Sequence, residues 1–215
     1  MTCIKEFVIC LMSMILLSCE NNVSGEKQNV TAVKDGKHKQ ENPLYSIRIY
    51  SYGSVSDVWL KMLGSKLRDV YPNVELMNQH LNLPKEYYHK GRNRYSGTGL
   101  LKDLSRFKNN SIVLGITNEV IYKANEKSPT FGIFGVSPVG AHVALISLKQ
   151  PSGREHSEDH LVKLMLHELG HAFGLNHCAD EHCFMVDAEH GNKFSQTPSF
   201  CKNCKRFLNE NGWKL

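Results

Sequence analysis

Three histidines lie close together in the sequence, at spacings that suit a metal ion. His167 and His171 are four residues apart, so on a helix both imidazoles face the same side, one turn apart. Gly174 gives the backbone freedom to leave that helix, often with a positive φ, so that His177 returns as a third ligand. Three histidines leave the fourth position of a tetrahedral zinc ion to water, which is the arrangement of a catalytic zinc.

Glu168 follows the first of these histidines and completes the pattern HExxHxxGxxH. The carboxylate does not ligate the metal from this position, but it is suited to take a proton from a zinc-activated water and pass it to a leaving amine. The alternative, that these are ordinary core histidines, would leave several polar groups without partners in an apolar helix, which is costly. The sequence therefore favours zinc-assisted hydrolysis with Glu168 as general base and acid.

The helix that must position these ligands begins after Ser157 and runs through Phe173. Ser157 is a suitable N-cap, and Glu158 and Asp159 place negative charge at the positive end of the helix. Apolar residues surround the helix almost completely, which predicts that it is buried: Leu161, Val162, Leu164, Met165, Leu166, Leu169, Ala172 and Phe173.

Upstream of this helix, strand-like and helical patterns alternate. The predicted strands share apolar or alternating residues and are Tyr45–Tyr50, Val74–Met77, Ser111–Thr117, Thr130–Val136 and His142–Leu148. One predicted helix begins after Ser54 or Ser56, a second covers Ser96–Phe107, and residues 80–95 are expected to form a loop. This order predicts an α/β sheet with mixed strand directions, in which Ser111–Thr117 is central and the last two strands form a hairpin.

The composition of the chain is that of an ordinary globular protein. It has 215 residues, of which 41% are hydrophobic and 22% charged, with a formal net charge of +5, which excludes a disordered or fibrous class. No nucleotide fingerprint is present, and we expect no nucleic-acid partner. The seven cysteines cannot all pair with one another, and a chain of this size does not need a disulfide framework.

The N-terminus has the pattern of a signal peptide. Lys5 precedes an apolar run, Phe7–Leu17, that is too short to cross a hydrocarbon core of about 30 Å. Leu16–Cys19 resembles the lipobox of bacterial lipoproteins, which implies removal of residues 1–18 and lipidation of Cys19. A simple cleaved signal with an incidental cysteine is the alternative.

Residues 19–43 are mostly polar and are predicted to be a flexible tether. Together with a lipid on Cys19, the tether would hold a folded domain at a membrane. We therefore expect the protein in the bacterial cell envelope, facing the periplasm or the exterior.

Four cysteines and a methionine follow the histidine pattern at fixed spacings, namely Cys178, Cys183, Met185, Cys201 and Cys204. Together with HExxHxxGxxH, these residues resemble the signature of the archaemetzincin family of zinc metalloproteases. One departure from the family pattern is a slightly shorter segment between Met185 and the final CxxC pair.

The resemblance implies a metzincin-like α/β (α+β) fold for residues 44–215. Its sheet would be mixed, mostly parallel and twisted, with an antiparallel edge strand, packed on helices that include the HExxH helix. Residues 44–174 would form the sheet-and-helix part, and residues 175–215 a small Cys-rich C-terminal part. Met185 would form the methionine turn under the zinc, Phe131–Val136 would be the edge strand that pairs with a substrate peptide, and a monomer is expected.

The resemblance also implies a second, structural zinc on Cys178, Cys183, Cys201 and Cys204, which makes two zinc ions per chain. Four thiolates complete a tetrahedral shell and leave no position for a reactive water. In an oxidising compartment the same four cysteines have an alternative, two disulfides.

The leading hypothesis is a zinc metallopeptidase that acts on peptide or protein substrates and is tethered to a membrane as a lipoprotein. A non-catalytic zinc-containing lipoprotein that serves as a binding module is the first alternative, and a hydrolase of non-peptide amides is the second. Glu168 argues against the binding module, because such a protein has no need of that carboxylate.

Overall fold

The computed structural model describes residues 45–154, 156–187 and 197–215. The predicted signal peptide, the predicted tether and the proposed lipidation site Cys19 lie outside these ranges. Among the residues that are described, no helix combines the length and the apolar character needed to cross a bilayer.

Nine strands and four α-helices form the described part of the chain. The strands are β1 (Ile47–Tyr52), β2 (Val74–Leu81), β3 (Tyr88–His89), β4 (Arg94–Ser96), β5 (Ile112–Thr117), β6 (Ile121–Asn125), β7 (Ser128–Ile133), β8 (Gly135–Val136) and β9 (Val143–Ser147). The helices are α1 (Asp57–Arg68), α2 (Gly97–Leu104), α3 (Glu158–Phe173) and α4 (Lys202–Glu210).

The main sheet has five strands in the order β2-β1-β5-β9-β8. Strands β2, β1, β5 and β9 are parallel, and β8 pairs antiparallel with β9 at one edge. Every residue of the central strand β5 is buried, as expected for a parallel strand that is covered on both faces. The predicted mixed α/β fold is thus confirmed, and so is the central place of Ser111–Thr117.

Helices cover both faces of the main sheet. On one face, α1 and α3 bury Leu63, Met165 and Leu169 against strand residues such as Ile49. On the other face, Leu100 and its neighbours in α2 pack on the sheet. The C-terminal residues join the first of these two cores through Phe200, Leu208 and Trp213, so the Cys-rich part shares its core with α3.

Helix α3 carries the first two candidate ligands through the core. Ser157 caps it as predicted, because its side-chain oxygen accepts a hydrogen bond from the N–H of His160 over 3.3 Å. The helix ends at Gly174, whose φ of +119° lies in the left-handed region that glycine tolerates. The chain therefore turns sharply just after the second histidine.

A second sheet, with the order β3-β4-β6-β7, corrects one prediction. The sequence predicts a single strand over Thr130–Val136, but β7 pairs antiparallel with β6 in this sheet, and only Gly135–Val136 pairs with β9. The chain changes sheets near Phe134, whose carbonyl already accepts a hydrogen bond from Ser147. Apolar alternation shows that a segment is extended but does not specify its partner strand, which is why one strand was expected.

Other differences concern short or exposed elements. Strand β2 extends to Leu81, and residues 80–95, expected to form a loop, contain β3 and the start of β4. Helix α2 stops at Leu104 and continues as a short 3-10 turn. Strand β6 was missed because Ile121 is its single buried residue, and α4 was missed because only Cys204 and Leu208 are buried in it.

Candidate metal centre

The structure brings His167, His171 and His177 together. One ring nitrogen of each lies within 4.8 Å of the other two, and the Nε2 atoms of His167 and His171 are 3.1 Å apart. His167 and His171 are buried in α3, whereas His177 follows the turn at Gly174 and is exposed. The cluster therefore has one side that faces solvent.

Backbone carbonyl groups fix the orientation of two rings. The Nδ1–H of His167 donates to the carbonyl of Phe184 over 2.6 Å, and that of His171 donates to the carbonyl of Leu175 over 2.7 Å. Because a carbonyl only accepts, both Nδ1 atoms carry the hydrogen and both Nε2 atoms present lone pairs. Two lone pairs that face each other at 3.1 Å repel unless a cation lies between them, so these residues fit zinc.

His177 has a carboxylate beside the Nδ1 atom of its ring. Its Nδ1 lies 3.7 Å from Oδ2 of Asp187, in the segment that also supplies the Phe184 carbonyl. A carboxylate behind a metal-binding imidazole orients the ring and increases its basicity. All three rings thus have an acceptor on the Nδ1 side, and Nε2 is the atom suited to bind a metal.

Burial keeps the α3 histidines neutral. It lowers the pKa of His167 to about 4 and also lowers the pKa of His171. Since a metal binds the neutral imidazole, both rings are in the ligating form at physiological pH and need not lose a proton first.

Glu168 lies under the open edge of the main sheet. Its side chain is only 6% exposed, and a Cβ atom at Gly135 of β8 would approach its Oε1 to 2.7 Å. Burial raises the pKa of Glu168 to about 8, and the positive charge of Lys123 opposes that rise. The general-base candidate is therefore desolvated and held against the backbone of the edge strand.

Met185 packs directly under α3. It is fully buried, and a Cβ atom at Gly170, between Glu168 and His171, would lie 2.5 Å from its sulfur. The Met185 carbonyl also accepts a hydrogen bond from the N–H of Cys178 over 2.7 Å. The methionine therefore connects the histidine helix to the segment that carries the cysteines.

The four C-terminal cysteines form a second cluster next to the first. The sulfur atoms of Cys178, Cys183, Cys201 and Cys204 all lie within 4.8 Å of one another, and all four are free thiols. The backbone N–H groups of Met185 and Cys201 donate to the sulfur of Cys183 over 3.5 and 3.2 Å. Convergence of four sulfurs on one point, with N–H donors around them, suits a tetrahedral metal ion.

Several residues of the site were not singled out from the sequence. The Phe184 and Leu175 carbonyl groups belong to the backbone, so the residue type at these positions does not reveal their role. No spacing rule points to Asp187. A glycine inside a strand often marks a close approach, so Gly135 could have been recognised. Phe131, expected in the edge strand that pairs with a substrate peptide, lies instead in β7 of the second sheet.

Known proteins resemble this chain over most of its described length. The model of Peptidase family M54 matches residues 55–210. An archaemetzincin of Methanopyrus kandleri is 33% identical over 140 residues, which cover 64% of this chain and 79% of that protein. An archaemetzincin of Methanocaldococcus jannaschii is 29% identical over 180 residues, which cover 77% of this chain and 94% of that protein.

Solved structures share the fold. The crystal structure of the Methanopyrus kandleri archaemetzincin has a TM-score of 0.60 at 25% identity and covers 81% of this chain and 97% of that one. The structure of the Archaeoglobus fulgidus archaemetzincin complexed with malonate has a TM-score of 0.62 at 24% identity, and the match covers 75% and 99% of the two chains.

Proposed function

Because this chain belongs to peptidase family M54, the archaemetzincin family of zinc metalloproteases, we propose that it hydrolyses peptide bonds with Glu168 as general base. The observation that carries this proposal is the convergence of three imidazoles, each with an acceptor on its Nδ1 side, next to a buried carboxylate. When bound to His167, His171 and His177, zinc supplies the Lewis acidity that polarises a scissile carbonyl and acidifies water.

The side chains of the site have separate tasks in this mechanism. The Phe184 and Leu175 carbonyl groups hold the rings of His167 and His171 in the ligating orientation. Glu168 takes the proton of the attacking water and delivers it to the nitrogen of the leaving amine, so no covalent enzyme intermediate is formed. Burial of Glu168 excludes bulk water as a competing proton acceptor.

The open edge of the main sheet offers a place for the substrate. Strand β8 pairs with β9 on one side only, and Gly135 in it lies against Glu168. An extended peptide that adds to this edge would pass its backbone next to the general base. We therefore propose β8, Gly135–Val136, as the strand that pairs with the substrate. It is the C-terminal part of the segment Phe131–Val136 that was expected to do so.

A peptide library tests the proposed function. Wild-type protein loaded with zinc is expected to cleave some of its members, whereas Glu168→Gln is expected to lower kcat by about 100-fold or more while zinc remains bound. Glu158→Gln, an exposed change in the first turn of the same helix, is the matched control and should leave turnover unchanged. Full turnover by Glu168→Gln would refute the general-base role. Cleavage of non-peptide amides but of no peptide would favour the alternative function, a hydrolase of non-peptide amides.

The Cys cluster is proposed to hold a structural zinc, so that each chain binds two zinc ions. Metal content of about two per chain, with four thiols that become reactive only after chelation, is expected for protein purified without reductant. Absence of reactive thiols after chelation would instead establish two disulfides between the four cysteines.

Membrane tethering through Cys19 is a separate proposal that depends on the sequence alone. The full-length protein should be found in the membrane fraction, and Cys19→Ala should release it, whereas Cys3→Ala should not. Lipidation would be contradicted if both variants stay in the membrane fraction and the mature protein keeps an intact N-terminus. The non-catalytic binding module has no support from the family membership.

A further inference from the structure

Lys123 and Phe131 form a cross-strand pair near the proposed active site. Lys123 of β6 lies directly opposite Phe131 of β7 in the antiparallel register. Residues opposite each other in this way project from the same face, with Cβ atoms about 5 Å apart. Both side chains are exposed, and Phe131 keeps 45% of its surface accessible although it is a large apolar residue. The pair therefore presents an ammonium group and an aromatic ring to solvent on the same face of the hairpin.

This pair continues the line of the edge strand. Strand β7 leads through Phe134 directly into β8, and Gly135 of β8 lies against the Glu168 side chain. Phe131 precedes Gly135 by four residues, which corresponds to about 13 Å of extended chain. A peptide that pairs with β8 and continues in the direction of β7 would therefore pass Phe131 and Lys123.

The charge of Lys123 is available to a ligand. No carboxylate of the described residues forms an ion pair with it. The exposed ammonium group of Lys123 can therefore pair with a carboxylate of a ligand.

We propose that Lys123 and Phe131 form a subsite that selects peptides with an acidic side chain within four residues of the scissile bond. Lys123 would pair with the carboxylate, and Phe131 would cover the apolar part of the same or the neighbouring substrate residue. The formal net charge of +5 adds a general attraction for acidic substrates. This inference depends on the proposed peptidase function.

Matched peptide pairs test the subsite. Each pair differs only by Glu or Gln at one position, scanned over four positions on either side of a bond that the wild-type protein cleaves. At one of these positions, kcat/KM should favour Glu by about twofold to fivefold, mainly through KM, and added salt should reduce the preference. Lys123→Met should abolish the preference, and Lys123→Glu should reverse it in favour of Gln over Glu.

Lys127, in the turn between β6 and β7, provides the control. Lys127→Met removes the same charge from the same hairpin and should leave the preference at its wild-type value. Equal kcat/KM for Glu and Gln peptides at every position would overturn the inference. So would an equal loss of preference in the Lys127 and Lys123 variants, since that would indicate general charge attraction.

A binding measurement separates this inference from the peptidase assignment. Fluorescence anisotropy of labelled Glu and Gln peptide pairs, drawn from the library whether or not they are cleaved, with zinc-loaded Glu168→Gln protein does not depend on turnover. If no peptide is cleaved but Glu peptides bind more tightly than Gln peptides and Lys123→Met removes the difference, the function fails and the subsite stands. If peptides are cleaved but bind without this difference, the subsite fails and the function stands.

Discussion

At the scale of single residues, the centre depends on groups that hold the reacting side chains as much as on those side chains. Gly135 is one of them, because the absence of a side chain lets the edge strand approach the Glu168 carboxylate. Asp187 is another, because it faces the ring of His177, the exposed member of the proposed ligand set. Neither would be expected to bind zinc itself.

Gly135→Ala is predicted to displace Glu168, the proposed general base. The added Cβ would lie 2.7 Å from Oε1 and 2.8 Å from Cγ of Glu168, so the carboxylate must move. Since a small misplacement of a catalytic group is costly, kcat should fall by about 10–100-fold while zinc content is unchanged. Gly91→Ala, where the new Cβ makes only ordinary contact with His89, is the control. Wild-type kcat in the Gly135 variant would show that Glu168 does not need its present position.

Asp187→Asn is predicted to weaken zinc binding. Asp187→Asn removes the carboxylate charge that lies behind the His177 ring and helps to orient it, so zinc affinity should fall by about tenfold to a hundredfold. Competition with a chromophoric chelator measures this affinity directly. Glu181→Gln removes a charge from an exposed residue of the same segment and should have no effect. Equal zinc affinities of wild type and Asp187→Asn would show that the Asp187 carboxylate does not support His177 in zinc binding.

At the scale of elements, α3 begins beside a pair of buried histidines. The rings of His156 and His160 stack at 4.2 Å between centroids, and Phe134 contacts both. Phe134 joins β7 to β8, so the pair supports the segment that leads to the edge strand. Burial lowers the pKa of His156 to about 4 and also lowers the pKa of His160.

This pair predicts a loss of stability in acid. Between the folded pKa of about 4 and the unfolded value of 6.5, only the unfolded state protonates His156, so the free energy of unfolding falls as pH falls. His156→Phe removes this contribution, and its unfolding free energy should decrease less between pH 7 and pH 4.5, by on the order of 1–2 kcal/mol. Urea titrations at both pH values, with His89→Phe at an exposed position as control, measure the difference. Parallel pH dependence of wild type and His156→Phe would contradict the prediction.

At the scale of the whole molecule, the cysteine cluster connects segments that are distant in sequence. Cys178 and Cys183 precede the Met185 turn, whereas Cys201 and Cys204 begin α4. Helix α4 leads to Trp213, which is buried and packs against Phe173 at the end of α3, with 5.3 Å between ring centroids. A metal in this cluster would therefore stabilise the packing of the C-terminus on the histidine helix.

Cys204→Ser is predicted to loosen this packing. Loss of one thiolate should lower Tm and move tryptophan emission to longer wavelength, because Trp213 is one of only two tryptophans and becomes hydrated. Lys202→Ser in the same helix turn is the control and should behave as wild type. An unchanged Tm and emission maximum in Cys204→Ser would show that the cluster does not hold the C-terminus.

Features of the site and fold that depend on local spacing could be predicted from the amino-acid sequence. The pattern from His167 to His177, the cap at Ser157 and the turn at Gly174 follow from helix periodicity and from the backbone freedom of glycine. The mixed sheet with β5 at its centre follows from the order of the elements and their burial patterns.

The groups that contact the site from other segments of the chain could not be predicted, because they are brought there by tertiary packing. The Phe184 carbonyl under His167, Gly135 against Glu168 and Lys123 opposite Phe131 are contacts between segments with no fixed spacing. The division of residues 128–136 between two sheets is of the same kind, because strand pairing depends on the partner available in space. Local pattern therefore specifies the residues that can do chemistry, and packing of the whole chain specifies what holds and surrounds them.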